Sequence, residues 1–420
     1  MIFEFLEMFY MIVTRTFLYW PIHFIIFLVA ATFIRGYLAR TYKPHTEGLK
    51  RENVKVSVVI PEYNEDLDIF EKVIKSAVEN KPDEIIIVYE DERKEIEKIA
   101  KKYKTKGVNI IDFYPGIRLG KRASLALAWM IAKGDIIVQL DSDTIMQPGA
   151  INEIVKPFSD PKVAGVQGHP LLFRTGGKIP YILGQIIELS RDIVCKMLDG
   201  ELVVIDGKIA AYRRDFLIKN IKEFLIEKWG KRKIIVADDR ALTFLANIQG
   251  YKTVYQSTAL GLSAAQPTLT KFILQQLRWA RSGYLYLIKD IKTGLFFKST
   301  RRYRFQMLTY LLAPVSFTVA WVQTLLANVE VVNIIGAYIN SIVSLNIPII
   351  LYSIFVFILG LTMTLNFSLK ALGIDYNEIK KLSITAFDYV ILGIIGLFVI
   401  YPMSLYAMLT YRNVTSWLTR

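Results

Sequence analysis

Apolar residues crowd the two ends of the chain and leave a charged middle, and that segregation constrains the fold more than any other feature. Residues 17–34 (FLYWPIHFIIFLVAATFI) run for 18 positions without Asp, Glu, Lys or Arg. A helix of that length can cross a hydrocarbon layer. Further apolar segments lie near 305–327, 345–366 and 385–409, with a shorter one at 331–344. Arg35, Arg40, Lys43, Lys50 and Arg51 follow the first segment, which places its C-terminal side in the cytosol. Residues 1–14 are apolar but carry Glu4 and Glu7 and read equally as an interfacial helix or a poor first span. The first apolar segment is too long for an ordinary signal peptide and lacks its small-residue cleavage site. The pattern predicts a multi-pass protein of the cell membrane, in contact with the lipid bilayer, with a cytosolic insert.

Residues 54–260 read as alternating strands and helices. VKVSVVI (54–60) and EIIIV (84–88) are β-rich runs separated by a helical stretch over 65–80, and GDIIVQLD (134–141) is a further buried strand. Such alternation implies an α/β domain built on a mainly parallel sheet, with helices on both faces. Ligands of such sheets bind at the carboxyl ends of the strands. The acidic residues fall there: Glu62 to Glu65, Glu90, and Asp141 with Asp143. Residues 268–300 read as amphipathic helices rich in Lys and Arg, suited to a membrane surface.

The net charge of +14 fits both positive-inside topology and a field that gathers anionic substrates. The basic residues are scattered and no reading motif accompanies them, so nucleic acid is not an expected partner. A single cysteine, Cys195, rules out an intrachain disulfide. With three histidines and one cysteine, a metal would be held mainly by carboxylates, which points to Mg2+ or Mn2+.

Four short motifs carry chemistry. Asp141-Ser142-Asp143 sets two carboxylates at a strand end, on one side if the chain stays extended, where they suit a divalent ion bridging a diphosphate. Asp238-Asp239 pairs two carboxylates, and one raised in pKa by the other suits proton abstraction from a hydroxyl. The same pair would also cap a helix N-terminus. Gln275, Arg278 and Trp279 join an amide, a cation and an indole on one helical turn. An amphipathic helix can carry all three without function, whereas a site would use Arg for phosphate and Trp as a stacking platform for a sugar. Gly120-Lys121-Arg122 opens a helical stretch and suits a phosphate without the spacing of a P-loop.

The order of these motifs is more specific than any one of them. VVIPEYNED (58–66), GKR (120–122), DSD (141–143), AYRR (211–214), DDR (238–240), Q-x-x-R-W (275–279) and W-x-T-R (417–420) together resemble the processive inverting glycosyltransferases of family two. These are the cellulose, chitin and hyaluronan synthases, and the short streptococcal-type hyaluronan synthases are most similar. The resemblance covers nearly the whole chain. It implies a nucleotide-sugar-binding, GT-A-like domain with interfacial and transmembrane helices at both ends. The implied divisions are membrane segments over 1–50, a catalytic domain over 51–265, interface helices over 266–303, transmembrane helices over 304–410 and a cytosolic gating segment over 411–420.

The resemblance also implies roles. Tyr63, Asn64, Glu65 and Glu90 would bind the donor, a UDP-sugar, together with Lys121, Asp141 and Asp143. Asp143 and Asp141 would hold Mn2+ or Mg2+. Asp239 would be the general base with Asp238 its neighbour. Gln275, Arg278 and Trp279 would line the polysaccharide acceptor and pyrophosphate region, and Trp417, Thr419 and Arg420 would gate the bound donor. Three departures stand out. Tyr89-Glu90-Asp91 replaces an Asp-Asp-Gly, Ile205-Asp206-Gly207-Lys208 replaces a Cys-Ser-Gly-Pro-like run near the acceptor, and Leu418 replaces a gating glycine. A cytosolic gate requires an even number of crossings after the domain, so either 331–344 crosses or a segment such as the Pro402-interrupted last one does not. A non-processive transferase adding one sugar to a membrane lipid would use the same donor site. A transporter or scaffold with a degenerate transferase domain is the non-enzymatic alternative.

Overall fold

The computed structural model describes residues 20–91, 93–104, 108–326 and 382–413. The chain divides into two compact units, Met1–Leu38 with Phe305–Leu409, and Ala39–Arg304 with Thr410–Arg420.

The second unit is built on an eight-stranded sheet in the order β3-β2-β1-β4-β7-β6-β10-β5. Its strands are β1 (Val56–Glu62), β2 (Glu84–Tyr89), β3 (Asn109–Phe113), β4 (Ile136–Leu140), β5 (Thr144–Met146), β6 (Val163–Phe173), β7 (Ile209–Arg213) and β10 (Lys252–Ala264). A separate hairpin pairs β8 (Lys228–Trp229) with β9 (Arg232–Lys233). β1 lies parallel to β2 and β4, β2 to β3, and β6 to β10. β7 runs antiparallel between β4 and β6, and β5 antiparallel at the edge. The sheet is therefore mainly parallel, as its buried, β-branched strands predict. Val58, Ile60, Ile85, Ile87, Ile136 and Val138 face one side and pack on Phe70, Val73, Ile74 and Ile96. The alternate residues Val59, Ile86 and Ile137 point to the opposite face and are equally buried, so both faces of the sheet are covered there.

The helix Leu67–Glu79 falls within the stretch predicted as helical and is capped by Asp66, whose carboxylate accepts the amides of Asp68 and Ile69 at 3.0 Å. The region 268–300 is helical over most of its length, as expected. It forms one 25-residue helix, Leu269–Thr293, and a single turn, Leu295–Lys298. Arg281–Leu287 of the long helix is buried within the protein.

Among the described residues no helix is long and apolar enough to cross a membrane. Of the expected span 17–34, residues 20–34 lie in the helix Trp20–Ala39, which takes in Arg35, and 17–19 lie outside the described residues. The expected 305–327 span sits in Arg301–Leu326, whose first turn carries Arg301, Arg302 and Arg304 and which contains Pro314. The expected 385–409 span is divided into Ala386–Ile395 and Tyr401–Leu409 by a π-helical stretch, Gly396–Ile400. Pro402 lies two residues beyond the end of that stretch. It lacks the N–H that an unbroken α-helix needs there, which accounts for the interruption. The segments 331–344 and 345–366 lie outside the described residues, as do residues 414–420 of the gating segment, with Trp417, Thr419 and Arg420.

Candidate active site

A cleft of about 890 Å³ opens at the carboxyl ends of the central strands. Tyr63, Asn64, Glu65, Glu90, Lys121, Asp141, Asp143, Asp238, Asp239, Gln275, Arg278 and Trp279 all line it. The sheet explains the convergence. β1 delivers Tyr63 to Glu65 at its end, β2 delivers Glu90, and β4 delivers Asp141.

At the first end, Asn64 takes a left-handed backbone (φ 51°) and turns the chain from β1 toward its helix. Glu62 is buried and anchors the turn: its carboxylate accepts the Glu65 amide at 2.9 Å and Arg93 at 3.1 Å. Arg118 lies 3.9 Å from the centre of the Tyr63 ring. Glu90, buried, accepts the Ser124 hydroxyl at 2.7 Å and has Arg118 at 3.7 Å. Sequence reading placed Glu90 here but missed Arg93 and Arg118, whose only signal was their nearness to the recognised motifs.

Asp141 and Asp143 do not sit on extended chain. The amide of Thr144 donates to the carbonyl of Asp141 at 3.0 Å, closing a turn between β4 and β5, and both carboxylates still line the cleft. Lys121 opens the helix Lys121–Ile131 after Gly120, which takes φ 83°. Its ammonium donates to Asp141 at 2.8 Å and lies 3.2 Å from Asp238. Burial alone would lower Lys121, but Asp141 and Asp238 outweigh it and keep the ammonium charged. Asp141 is raised by burial and by Asp143, with Lys121 pulling the other way. Gly207, part of the run 205–208 that departs from the family pattern, completes this corner. A β-carbon there would lie 3.5 Å from Lys121 Nζ and 3.8 Å from Asp141 Oδ1.

The acid pair opens the helix Asp238–Ile248, and its members diverge. Burial raises Asp238, but Lys121 and then Arg122 outweigh it and hold it below the usual carboxylate range. Asp239 is pushed up by burial, then by the charges of Asp238 and Asp206, against Arg240 and Lys121. Two neighbouring carboxyls whose surroundings drive them apart are suited to different tasks: Asp238 stays ionised, and Asp239 is the better proton acceptor near neutrality.

Across the cleft, Gln275, Arg278 and Trp279 share one turn of the long helix. The Trp279 ring is flanked by two cations, with Lys208 Nζ at 4.8 Å and Arg191 Cζ at 5.4 Å from its centre. Both belong to a buried ion quartet. Lys208 donates to Glu188 and Asp206, each at 2.9 Å, and Arg191 reaches Asp206 at 2.6 Å. Burial works against the charge on Asp206, but Arg191 and Lys208 outweigh it and hold the carboxyl well below its usual range. The run 205–208 stood out in the sequence, whereas Glu188 and Arg191 sit in the helix Lys178–Met197 with no local signal.

A mainly parallel sheet with paired carboxylates at its carboxyl edge, facing an amide, a cation and an indole, defines a GT-A-like glycosyltransferase. The chain belongs to the glycosyltransferase-like family 2, whose profile matches residues 53–282. It is 26% identical over 408 residues to a hyaluronan synthase of Streptococcus pyogenes, covering 94% of this chain and 90% of the relative. An N-acetylglucosaminyltransferase of Rhizobium leguminosarum bv. viciae is 26% identical over 172 residues, 40% of each chain. Among solved structures, a mannosyltransferase from Pyrobaculum calidifontis in complex with GDP-Man and Mn2+ superposes with a TM-score of 0.55 at 16% identity. That likeness covers 77% of this chain and 92% of the other and is one of fold. The family resemblance read from the ordered motifs is thereby borne out.

Proposed function

We propose that the protein is a membrane-embedded, processive polysaccharide synthase. It takes a sugar from a UDP-sugar with inversion, adds it to a growing β-linked polymer and passes that polymer outward. The observation that carries this reading is the meeting, in one cleft, of both carboxylate pairs with the Gln275–Trp279 turn. The near full-length similarity to a hyaluronan synthase supports it. Exposed apolar residues of the first unit, among them Phe33, Ile34, Leu312, Phe387, Ile394 and Leu409, support lipid contact, since soluble surfaces rarely gather such residues.

In this reading an acceptor hydroxyl attacks the anomeric carbon of the donor. Asp239 takes the hydroxyl proton, the new C–O bond forms, and the bond to the diphosphate breaks with its electron pair leaving on the nucleotide. In-line displacement on an α-linked donor gives a β-linkage. Trp279 offers the acceptor sugar an apolar face, and Arg278 offers a cation to the pyrophosphate. Asp141 and Asp143 fit a divalent ion. They are two carboxylates side by side, and among the described residues no group of three His, Cys, Asp or Glu side chains closes a cage. Mg2+ and Mn2+ suit one or two carboxylates completed by water and substrate phosphate. When bound there, the ion offsets the charge developing on the leaving diphosphate. Trp417, Thr419 and Arg420 would close over the donor from a cytosolic gating segment.

Product length tests the reading. Purified protein supplied with a nucleotide-sugar and Mn2+ should yield a long, glycosidase-sensitive polymer. A product of one sugar on a membrane lipid would replace the polymerase reading with a single-transfer one.

A further inference from the structure

Lys121 and Arg122 are consecutive at the start of one helix, so their side chains leave it about 100° apart. Lys121 enters the cleft, while Arg122 turns into the protein and is 5% exposed. Its guanidinium reaches three backbone carbonyls and one carboxylate. Nη2 donates to the carbonyls of Val236 at 2.7 Å and Ala237 at 3.1 Å. Nη1 donates to the carbonyl of Phe224 at 2.9 Å and to Glu227 Oε2 at 2.8 Å.

Ala237 immediately precedes the acid pair and holds a left-handed backbone, φ 61° and ψ 47°. For a residue with a β-carbon that conformation costs about 1–2 kcal/mol, so something must hold it. The two carbonyls on Nη2 flank this strained position. Glu227, at the far end of the same segment, also accepts the Tyr286 hydroxyl at 2.6 Å and the Lys289 ammonium. Tyr286 and Lys289 lie on the helix that carries Gln275, Arg278 and Trp279.

We propose that Arg122 is a positioning residue for Asp238 and Asp239: it locks the left-handed turn at Ala237, and through Glu227 it ties that turn to the helix bearing the acceptor-side residues. The planar fork matters, because a lysine is a point donor and cannot serve at once the acceptors that the two terminal nitrogens of the guanidinium reach. The segment is also held by the β8–β9 hairpin, by the Ile234 amide on the Glu227 carbonyl and the Ala241 amide on the Ala237 carbonyl, each at 3.0 Å, and by the buried Ile234 and Val236 side chains. Among the described residues, however, Arg122 alone donates a side chain to both carbonyls that flank Ala237. Arg122 thus sets where the carboxylate of Asp239 stands, its two terminal nitrogens being taken up by protein acceptors. This role rests on Asp239 being the base.

The test compares Arg122→Lys, Arg122→Lys/Ala237→Gly and Tyr286→Phe with the wild-type full-length chain, using sugar-transfer kinetics and backbone amide exchange. Arg122→Lys should lower the rate at saturating donor by about 10- to 100-fold, the scale of an ångström-size misplacement. Donor KM should stay within about twofold, as for loss of an interaction made only in the transition state. Exchange should quicken at 236–241 and nowhere else. Adding Ala237→Gly, which enters the left-handed region without strain, should restore part of the lost rate. Tyr286→Phe is the milder probe if Arg122→Lys fails to fold, and should give a smaller loss with the same local exchange pattern. Unchanged rate and exchange in the folded variants would overturn the proposal, as would exchange quickened throughout the unit with no recovery from Ala237→Gly. Full turnover in Asp239→Asn would instead remove the functional reading. The exchange at 236–241 would still decide whether Arg122 holds the turn.

Discussion

The members of the Asp238–Asp239 pair are alike in sequence and opposed in setting. Lys121 faces Asp238 at 3.2 Å, and the charges of Asp238 and Asp206 bear on Asp239. A base whose pKa is raised loses function as it is protonated, so the rate should fall with decreasing pH at values above the ordinary carboxylate range. A pH–rate profile with its acid limb in the ordinary range would contradict the divergence. Asp290 gives a separate test in stability. Burial pushes it up to about 6, and Tyr303 donates to it at 2.7 Å, with Arg240, Lys289 and Glu201 as its charged neighbours. A folded-state pKa above the unfolded one means that stability falls as pH rises from the ordinary carboxylate range through about 6 and is flat above. A shift of two units corresponds to about 3 kcal/mol. Asp290→Asn should therefore melt higher than the wild type at pH 8 and equal to it below pH 4, as thermal unfolding would show. A lower melting temperature at pH 8 would contradict this.

Among elements, the ion quartet of Glu188, Arg191, Asp206 and Lys208 fixes the wall on which Trp279 rests. Removing one partner of a buried pair leaves an uncompensated charge and costs about 3–5 kcal/mol. Lys208→Met should lower the unfolding free energy, read from a denaturant titration, by an amount in that range, and Asp206→Asn/Lys208→Met should recover part of it. Additive losses in the double variant would show that the two do not act as a unit. The same elements mark what the sequence reveals. Strands β1, β2 and β4 were legible because apolar, β-branched runs between turn residues leave little alternative. Acidic residues at strand ends were legible because a parallel sheet brings those ends together. Glu188, Arg191, Arg118 and Glu227 were not, because each meets a site partner distant in sequence (Lys208, Asp206, Glu90 and Arg122) and has an unremarkable local setting. The turn over Asp141–Thr144 was missed because a strand pattern does not show where extension stops.

For the molecule as a whole, the soluble-looking unit and the apolar unit make separate demands. If the first unit contacts lipid, the protein should sediment with membranes and need detergent for release, which fractionation of expressing cells would show; recovery in the high-speed supernatant would contradict it. The apolar ends were legible as such, but the interruption before Pro402 is a backbone event that an apolar run conceals. The central claim concerns the cleft: one site transfers sugar, with Asp239 as its base. The direct measurement is nucleotide release from UDP- and GDP-sugars by the purified wild-type protein and Asp239→Asn, with Mn2+ and with chelator, alongside donor affinity. Metal-dependent release by the wild type is expected. A loss of about 100-fold or more in Asp239→Asn, with donor affinity retained, fits removal of a general base. Equal release by the two proteins would contradict the assignment.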